Sequence, residues 1–542
     1  AAVRWGAFGG ARNAPIGIQR LTFRRGLIRS ARFAPDGQSV VYGASWEGAP
    51  VKLFQARPGT PESRPLDVGD AELLDLSPQG EMAVLMAGGE KPYYSPNRRN
   101  RVLARVSLGG GTPREVMHDV IWAAWSPDGK SLAVVRDMEG KQRLEYPAGT
   151  VRYETSGWIT HPRVSPDGAS VAFLDHPVRG DDRGDVALVD TKGNKQVLAS
   201  GYTSVLGLAF ASKDEVYYAG ALGGMTRALC ATRIGSKRTR TIAKMFGQLI
   251  LHDVSSDGRV LVTHDAYQAS LNVLVPGAAR EVDLAWLDSS GINDVSPDGR
   301  TILFTEQGDG GGPHYSVYLR KVDGPAIRLG DGQGLSLAPD QKSALAVLYE
   351  GPDLVVLPTG VGEPRTLPRG TIREIHWADF TPDGKRVLFL GNQASAGPRL
   401  FSQSLSGGDP QPIAPEGVTT SGHPFTPDGA RLAVRSPDGT LVLMPASGGE
   451  PTPIAGAEPG DVPVRFSSDG RALFVSRGLD IPLTLYRVDI AAKRREPWRT
   501  LLPADLAGVQ AVGPVRLTED GKGYAYNSAQ FLSSLYVLSG LH

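Results

Sequence analysis

A Ser-Pro-Asp-Gly tetrapeptide, or a close variant of it, returns about every 40 to 50 residues along this chain, a spacing that marks repeated supersecondary units. Copies end at Gly37, Gly80, Gly129, Gly168, Gly258, Gly299, Gln341, Gly384, Gly429, Gly470 and Gly521. A degraded copy, Phe-Ala-Ser-Lys-Asp ending at Asp214, fills the one gap and makes twelve. The motif has the chemistry of a tight turn: Pro127 presets φ, Asp128 offers its carboxylate to nearby backbone N–H groups, and Gly129 tolerates positive φ.

The segments around each turn read as strands. An apolar residue such as Phe33, Trp125, Phe380 or Phe466 precedes the turn, and an alternating stretch such as Arg386-Val387-Leu388-Phe389-Leu390 follows it. A third run comes next (Leu53-Phe54-Gln55, Val317-Tyr318-Leu319, Leu535-Tyr536-Val537), then a turn and a short fourth run such as Ala326-Ile327-Arg328-Leu329. Four short antiparallel strands per repeat make a propeller blade, so the expected fold is all-β with twelve four-stranded blades. No segment carries a long 3.6-residue apolar period, and the 67 glycines and 41 prolines sit at turn positions.

The phase of the repeat at the two ends bears on closure. The last run, from Ser534 to Gly540, has third-strand character, whereas Ile18 to Phe23 looks like a fourth strand with no blade before it. Pairing an N-terminal strand with a late blade removes two exposed edges. Two six-bladed rings in tandem satisfy this phase, since propellers have four to eight blades and single cores stop growing near about 250–300 residues. Residues 18–277 then form the first ring, with residues 18–23 beside Leu271-Asn272-Val273-Leu274. Residues 278–542 form the second, with Arg280 to Trp286 beside Leu535-Tyr536-Val537, and residues 1–17 are a flexible leader. One twelve-bladed ring and a seven-plus-five division are the alternatives.

With 58 basic against 57 acidic residues, the chain has no global electrostatic drive toward nucleic acid or anionic membrane. It has no run of 18 apolar residues and no apolar signal-peptide core. Its start at Ala1 reads as a processed protein or excised domain. The single cysteine, Cys230, excludes an internal disulfide and reads as a small core residue. A Gly-x-Ser-x-Gly elbow on a strand–turn–helix, His-Glu-x-x-His and the kinase motifs are all missing.

Three constellations could carry binding chemistry. Histidines recur just ahead of the turn (His161, His252, His376, His423), with Trp122, Trp158 and Trp377 in the same region. These positions open the innermost strands at the channel mouth, so Trp122, His161, His252, His376, Trp377 and His423 are the candidate ligand contacts; the competing reading is packing between blades. Second, Asp175, Asp181, Asp182 and Asp185 lie with His176 in one loop and could hold Ca²⁺, unless the loop's arginines simply neutralise them. Third, the insertion from Lys91 to Arg101 interleaves basic and aromatic residues that could grip an anionic or carbohydrate partner. Charges also recur four residues before the turn aspartate: Arg32, Asp75, Arg163, Asp253, Asp294, Asp379, Arg465 and Arg516, a pattern that inter-blade ion pairing explains.

The repeat resembles the TolB-type, WD-like propeller repeat across nearly all of residues 18–540. Longer stretches, LTFRRGLIRSARFAPDGQSVVYGASWEG, YETSGWITHPRVSPDGASVAFLDHPVRGDDRGDVALVD and GGPHYSVYLRKVDG, resemble the propeller that follows the kinase domain and membrane helix of certain bacterial transmembrane Ser/Thr protein kinases. That resemblance implies an extracytoplasmic, non-enzymatic sensor or interaction domain that binds a protein or small molecule on a propeller face. A free periplasmic TolB-like docking protein is the second reading, and an enzyme with its site in the channel the third.

Overall fold

In a computed structural model the chain is described over residues 16–86, 101–138, 141–236, 238–245, 247–348, 351, 353–393, 397–478 and 481–541. The Lys91–Arg101 insertion falls outside these residues except for Arg101, which pairs with Glu72 at 2.9 Å. The described chain is β-structure throughout, relieved by one 3-10 turn at Asp309–Gly311. Nine of the repeats form four-stranded antiparallel sheets, as in Val120–Trp125, Leu132–Met138, Lys141–Glu145 and Val151–Thr155; the sheet of Arg431–Arg435 has three strands, and one six-stranded sheet joins two repeats. This is the propeller blade that the turn spacing predicts.

Contacts divide the chain into two units: residues to 266 together with those from 531 on, and residues 267–530. In the first unit the opening strands Gly26–Phe33, Ala71–Leu76, Val120–Trp125, Trp158–Val164, Ser204–Ser212 and Gln248–Val254 neighbour one another in that order, and the last lies beside the first. In the second, Ser290–Val295, Gln333–Leu337 and Ile372–Phe380 follow one another, and Asp461–Phe466 leads to Val509–Leu517, which returns to Ser290–Val295. Between Ile372–Phe380 and Asp461–Phe466 the opening segment is irregular. It is held by isolated bridges from Thr419 to Arg435, Phe425 to Leu432 and His423 to Arg465.

Closure differs from the expectation in its partners. Gly17–Arg20 pairs with residues 536–539, not with Leu271-Asn272-Val273-Leu274. Val282–Asp283 pairs with Asn272 and Val273, not with Leu535-Tyr536-Val537. The boundary near residue 277 moves accordingly. The cause is two unusually long strands, Val260–Leu274 and Tyr524–Ser539. Neither contains a glycine or proline to turn the chain at the usual place, so each begins in one unit as a second strand and ends in the other as a third. The repeat phase shows that a fourth strand is missing but not which of two similar third strands receives it.

Blades pack through apolar faces. Ala133 and Val135 of one blade meet Ile159, Phe173 and Ala187 of the next, all essentially inaccessible to solvent. Each such large side chain contributes roughly 1.5–3 kcal/mol by burial. Cys230 belongs to this packing: it is buried, and burial pushes its thiol up from the ordinary value.

The turn itself is a small polar lock. In Ser126-Pro127-Asp128-Gly129 the Ser126 hydroxyl donates to Asp128 Oδ1 at 2.6 Å and accepts from the Ser131 N–H at 2.9 Å, while the Lys130 N–H donates to Asp128 Oδ1 at 3.1 Å. Those hydrogen bonds, the Ser126 hydroxyl first, hold the Asp128 carboxyl below its usual range. Thr381–Asp383, Thr426–Asp428 and Thr518–Asp520 repeat the arrangement, which explains why the first position is Ser or Thr in most copies. Gly129 and Gly384 sit at φ 67° and 66°.

Two predictions follow from this architecture. A Cβ at Gly384 meets nothing within 4 Å, so Gly384→Ala isolates backbone strain and lowers stability by about 1 kcal/mol in urea unfolding; an unchanged midpoint refutes the turn assignment. Deleting residues 1–22 removes the closing strand, the buried Leu21 and the Thr22 hydroxyl that accepts from the Leu535 N–H at 2.9 Å. The truncated protein melts lower and aggregates by light scattering, whereas melting like the intact chain overturns the closure.

Candidate functional site

The opening strands share a defect that places the charged residues. Each one in the first unit shifts register, at Ile28/Ser30, Leu73/Asp75, Val120/Trp122, Thr160/Arg163, Leu206/Leu208 and Leu251/Asp253. The second unit shifts at Ile292/Asp294, Gly334/Ser336, Ile375/Trp377, Pro463/Arg465 and Val512/Val515. A bulge takes backbone groups out of the ladder, and buried ones must find other partners. His161, His252 and His376 are bulge residues, so the histidine recurrence seen in the sequence is a recurrence of bulges.

The charges four residues before each turn aspartate partner the bulge carbonyls and the edge N–H groups of neighbouring opening strands. Arg32 donates to the bulge carbonyls of Leu74 at 2.5 Å and His252 at 3.0 Å, and Arg516 donates to that of Asn293 at 2.5 Å. Asp75 accepts the Trp125 N–H at 2.7 Å, Asp253 the Phe33 N–H at 3.0 Å and Asp294 the Leu337 N–H at 2.7 Å. Each carboxylate thus reaches the same position on a neighbouring blade. Arg32 Nε also meets Asp75 at 2.8 Å.

In the first unit Arg163 reaches two further blades. Its Nη2 donates to the His252 carbonyl at 2.7 Å, and its Nη1 stands 3.6 Å from Asp75. Burial and the nearby Arg32 guanidinium lower its pKa to about 10, against the attraction of Asp75 and Asp253. Its Nε is buried without a hydrogen-bond partner, and so is Nδ1 of His161. His161 holds φ at 50°, in the left-handed region, and its ring lies against Trp122 with centroids 4.5 Å apart. Burial first, then Arg163, keeps the His161 imidazole neutral, well below the ordinary histidine value. Trp122, His161 and Arg163 are all only partly buried.

The second unit is bridged. His423 donates from Nε2 toward Asp294 at 2.6 Å and from Nδ1 toward Asp379 at 2.9 Å, linking three blades. Burial alone would depress this imidazole, but the two carboxylates outweigh it and push its pKa up to about 9. Both ring nitrogens are committed.

The sequence-nominated residues therefore divide. Trp122 and His161 come together with Arg163, which the sequence pattern marks only as an ion-pair partner. His252 turns its ring into the Thr263 hydroxyl at 3.1 Å and offers only its carbonyl to the arginines. Trp377 packs in the core and donates to the Gly422 carbonyl at 3.1 Å, and His376 is exposed beside Glu374. His423 is a bridge. The four loop carboxylates part company. Asp175 takes Lys195 and the Tyr153 hydroxyl, Asp181 takes Arg183, Asp182 takes Ser204 and Arg227, and Asp185 accepts the Gly201 N–H. Among the described residues no group of three or more His, Cys, Asp or Glu converges as a metal site.

No protein-family description matches the chain, and no curated protein does. Solved structures do. A putative TolB from Agrobacterium tumefaciens aligns over 48% of this chain and 98% of its own, at 15% identity and TM-score 0.38. An oligogalacturonate lyase from Vibrio parahaemolyticus aligns over 47% and 76%, at 14% identity and TM-score 0.33. A GH74 enzyme from Niastella koreensis aligns over 92% and 90%, at 10% identity and TM-score 0.35.

The bridge makes a pH prediction. The unfolded-state pKa of histidine is about 6.5, below the folded value of about 9, so protonated His423 stabilises fully below pH ~6.5 and the contribution is lost as pH rises through about 9. Asp294, Asp379 and Arg516 are the charged groups that surround it. His423→Gln leaves two buried carboxylates unpaired and costs roughly 3–5 kcal/mol at pH 7. In urea unfolding the gap between wild type and variant narrows by pH 10; a gap independent of pH refutes the ionic bridge.

Proposed function

We propose that this chain is a non-enzymatic binding propeller whose ligand contacts lie on the inner strands of the first unit, at Trp122, His161 and Arg163. The observation that carries the reading is the pair of buried polar atoms without partners, Arg163 Nε and His161 Nδ1, beside a strained backbone and a part-exposed tryptophan. Strain and unsatisfied polarity at one place are the marks of a site shaped for something other than stability. The carboxylates Asp75, Asp253, Asp294 and Asp379 are each occupied by backbone N–H groups, arginine or histidine, which favours binding over acid–base chemistry.

The resemblance to the propellers of bacterial membrane-bound Ser/Thr kinases supports a sensor or interaction role outside the cytoplasm. Among the described residues no helix is long and apolar enough to cross a membrane. A thermal-shift screen of small metabolites and short peptides tests the binding role. Compounds that raise the melting temperature of the wild type lose that effect in Trp122→Ala and His161→Ala. Stabilisers indifferent to both substitutions overturn the assignment.

A further inference from the structure

Resting on that binding reading, we infer that the first unit's inner-strand site selects a carboxylate. Arg163 has five N–H donors. Among the described residues its interactions are one hydrogen bond to the His252 carbonyl and a 3.6 Å approach to Asp75. Its side chain is only 11% exposed, and Nε is buried without a partner. Arg32 is different: all three of its nitrogens are engaged, by Asp75, Ala31, His252 and Leu74. Asp75, the anion nearest Arg163, already accepts from Arg32 and from the Trp125 N–H. Two arginines thus crowd the site, and the carboxylates near them are committed elsewhere.

A planar oxyanion meets these needs. A guanidinium fork pairs with a carboxylate through parallel hydrogen bonds that are stronger than neutral ones. Arg163 Nε with one Nη supplies the fork. His161 Nδ1, neutral and free to carry the proton, supplies a third donor to the same group. Trp122, stacked on His161, offers an apolar wall to whatever bears the carboxylate. The bulge explains the arrangement: the register shift between Thr160 and Arg163 brings His161 and Arg163 together on one strand while His161 accepts a left-handed φ. In the second unit the histidine ahead of the turn, His423, is closed instead, with both nitrogens satisfied by the chain's own carboxylates.

The test is titration of the intact protein, labelled with ¹⁵N-arginine, with acetate, acetamide, inorganic phosphate, and tri-alanine bearing a free or an amidated C terminus. The Arg163 Nε–H resonance, assigned by its loss in Arg163→Lys, shifts with acetate and with free-acid tri-alanine and stays still with the two amides. Calorimetry shows affinity for acetate or the free-acid peptide falling about tenfold or more in Arg163→Gln. Arg163→Lys, which keeps the charge without the fork, loses a comparable factor. Tighter binding of the free-acid peptide identifies a chain terminus as the carboxylate's source, and tighter binding of acetate identifies a free small acid. Phosphate binding in preference to both, equal binding of the amides, or an unmoved Arg163 resonance overturns the proposal. A compound whose stabilisation depends on Trp122 and His161 but not on Arg163 sinks the carboxylate while leaving the binding site in place.

Discussion

The backbone of the bulge is the constraint on which the inner architecture depends. An opening strand is the edge of its sheet and pairs on one side only, so every second N–H and C=O group faces away from the ladder. A bulge adds to these a carbonyl turned out of the ladder in a place little reached by solvent. Arginine answers the bulge carbonyls of Leu74, His252 and Asn293, and aspartate answers the edge-strand N–H groups of Trp125, Phe33 and Leu337. Because these groups belong to different blades, satisfying the backbone also ties blade to blade. The buried charges are consequences of the geometry, and their pairing offsets the cost of removing them from water.

The two units solve this problem with different results. In the second, an irregular segment with Gly422 at φ 65° before His423 lets one imidazole reach two carboxylates, and both of its nitrogens are paired. A Cβ at Gly422 would stand 2.4 Å from the Val464 carbonyl oxygen, so the close approach requires glycine. In the first, Arg32 serves two bulge carbonyls by itself and Arg163 shares one of them, so one guanidinium more than the backbone requires stands among committed acceptors. That surplus is why the first unit holds the better candidate for ligand contact.

The turn motif and strand alternation made the blades legible, because both express local geometry: a hydroxyl–carboxylate lock and a period of two. Closure was half legible. The unpaired fourth-strand character of residues 18–23 showed in the sequence, but its partner depended on Val260–Leu274 and Tyr524–Ser539 running on without a turn. That is a negative signal, harder to read than a motif. The site was visible as a spacing of histidines and charges, yet their roles depend on which blades meet. His161 and His423 occupy related places in the repeat; burial and then the neighbouring Arg163 keep one neutral, while the facing Asp294 and Asp379 overcome burial and hold the other cationic.

That contrast bears on why a repeat protein keeps charged residues where apolar ones would pack more cheaply. A fully paired arrangement such as His423 with Asp294 and Asp379 fixes blade order, since each bond joins residues far apart in sequence, 129 positions in one case. An under-paired one such as Arg163 and His161 gives up some stability and keeps its hydrogen-bonding capacity for another molecule. The same inner-strand position can do either, because a bulge needs only one of the several donors that an arginine brings. Binding capacity in this fold is then the excess of inner-strand donors over backbone acceptors, and Arg163, with its buried and unpartnered Nε, carries such an excess.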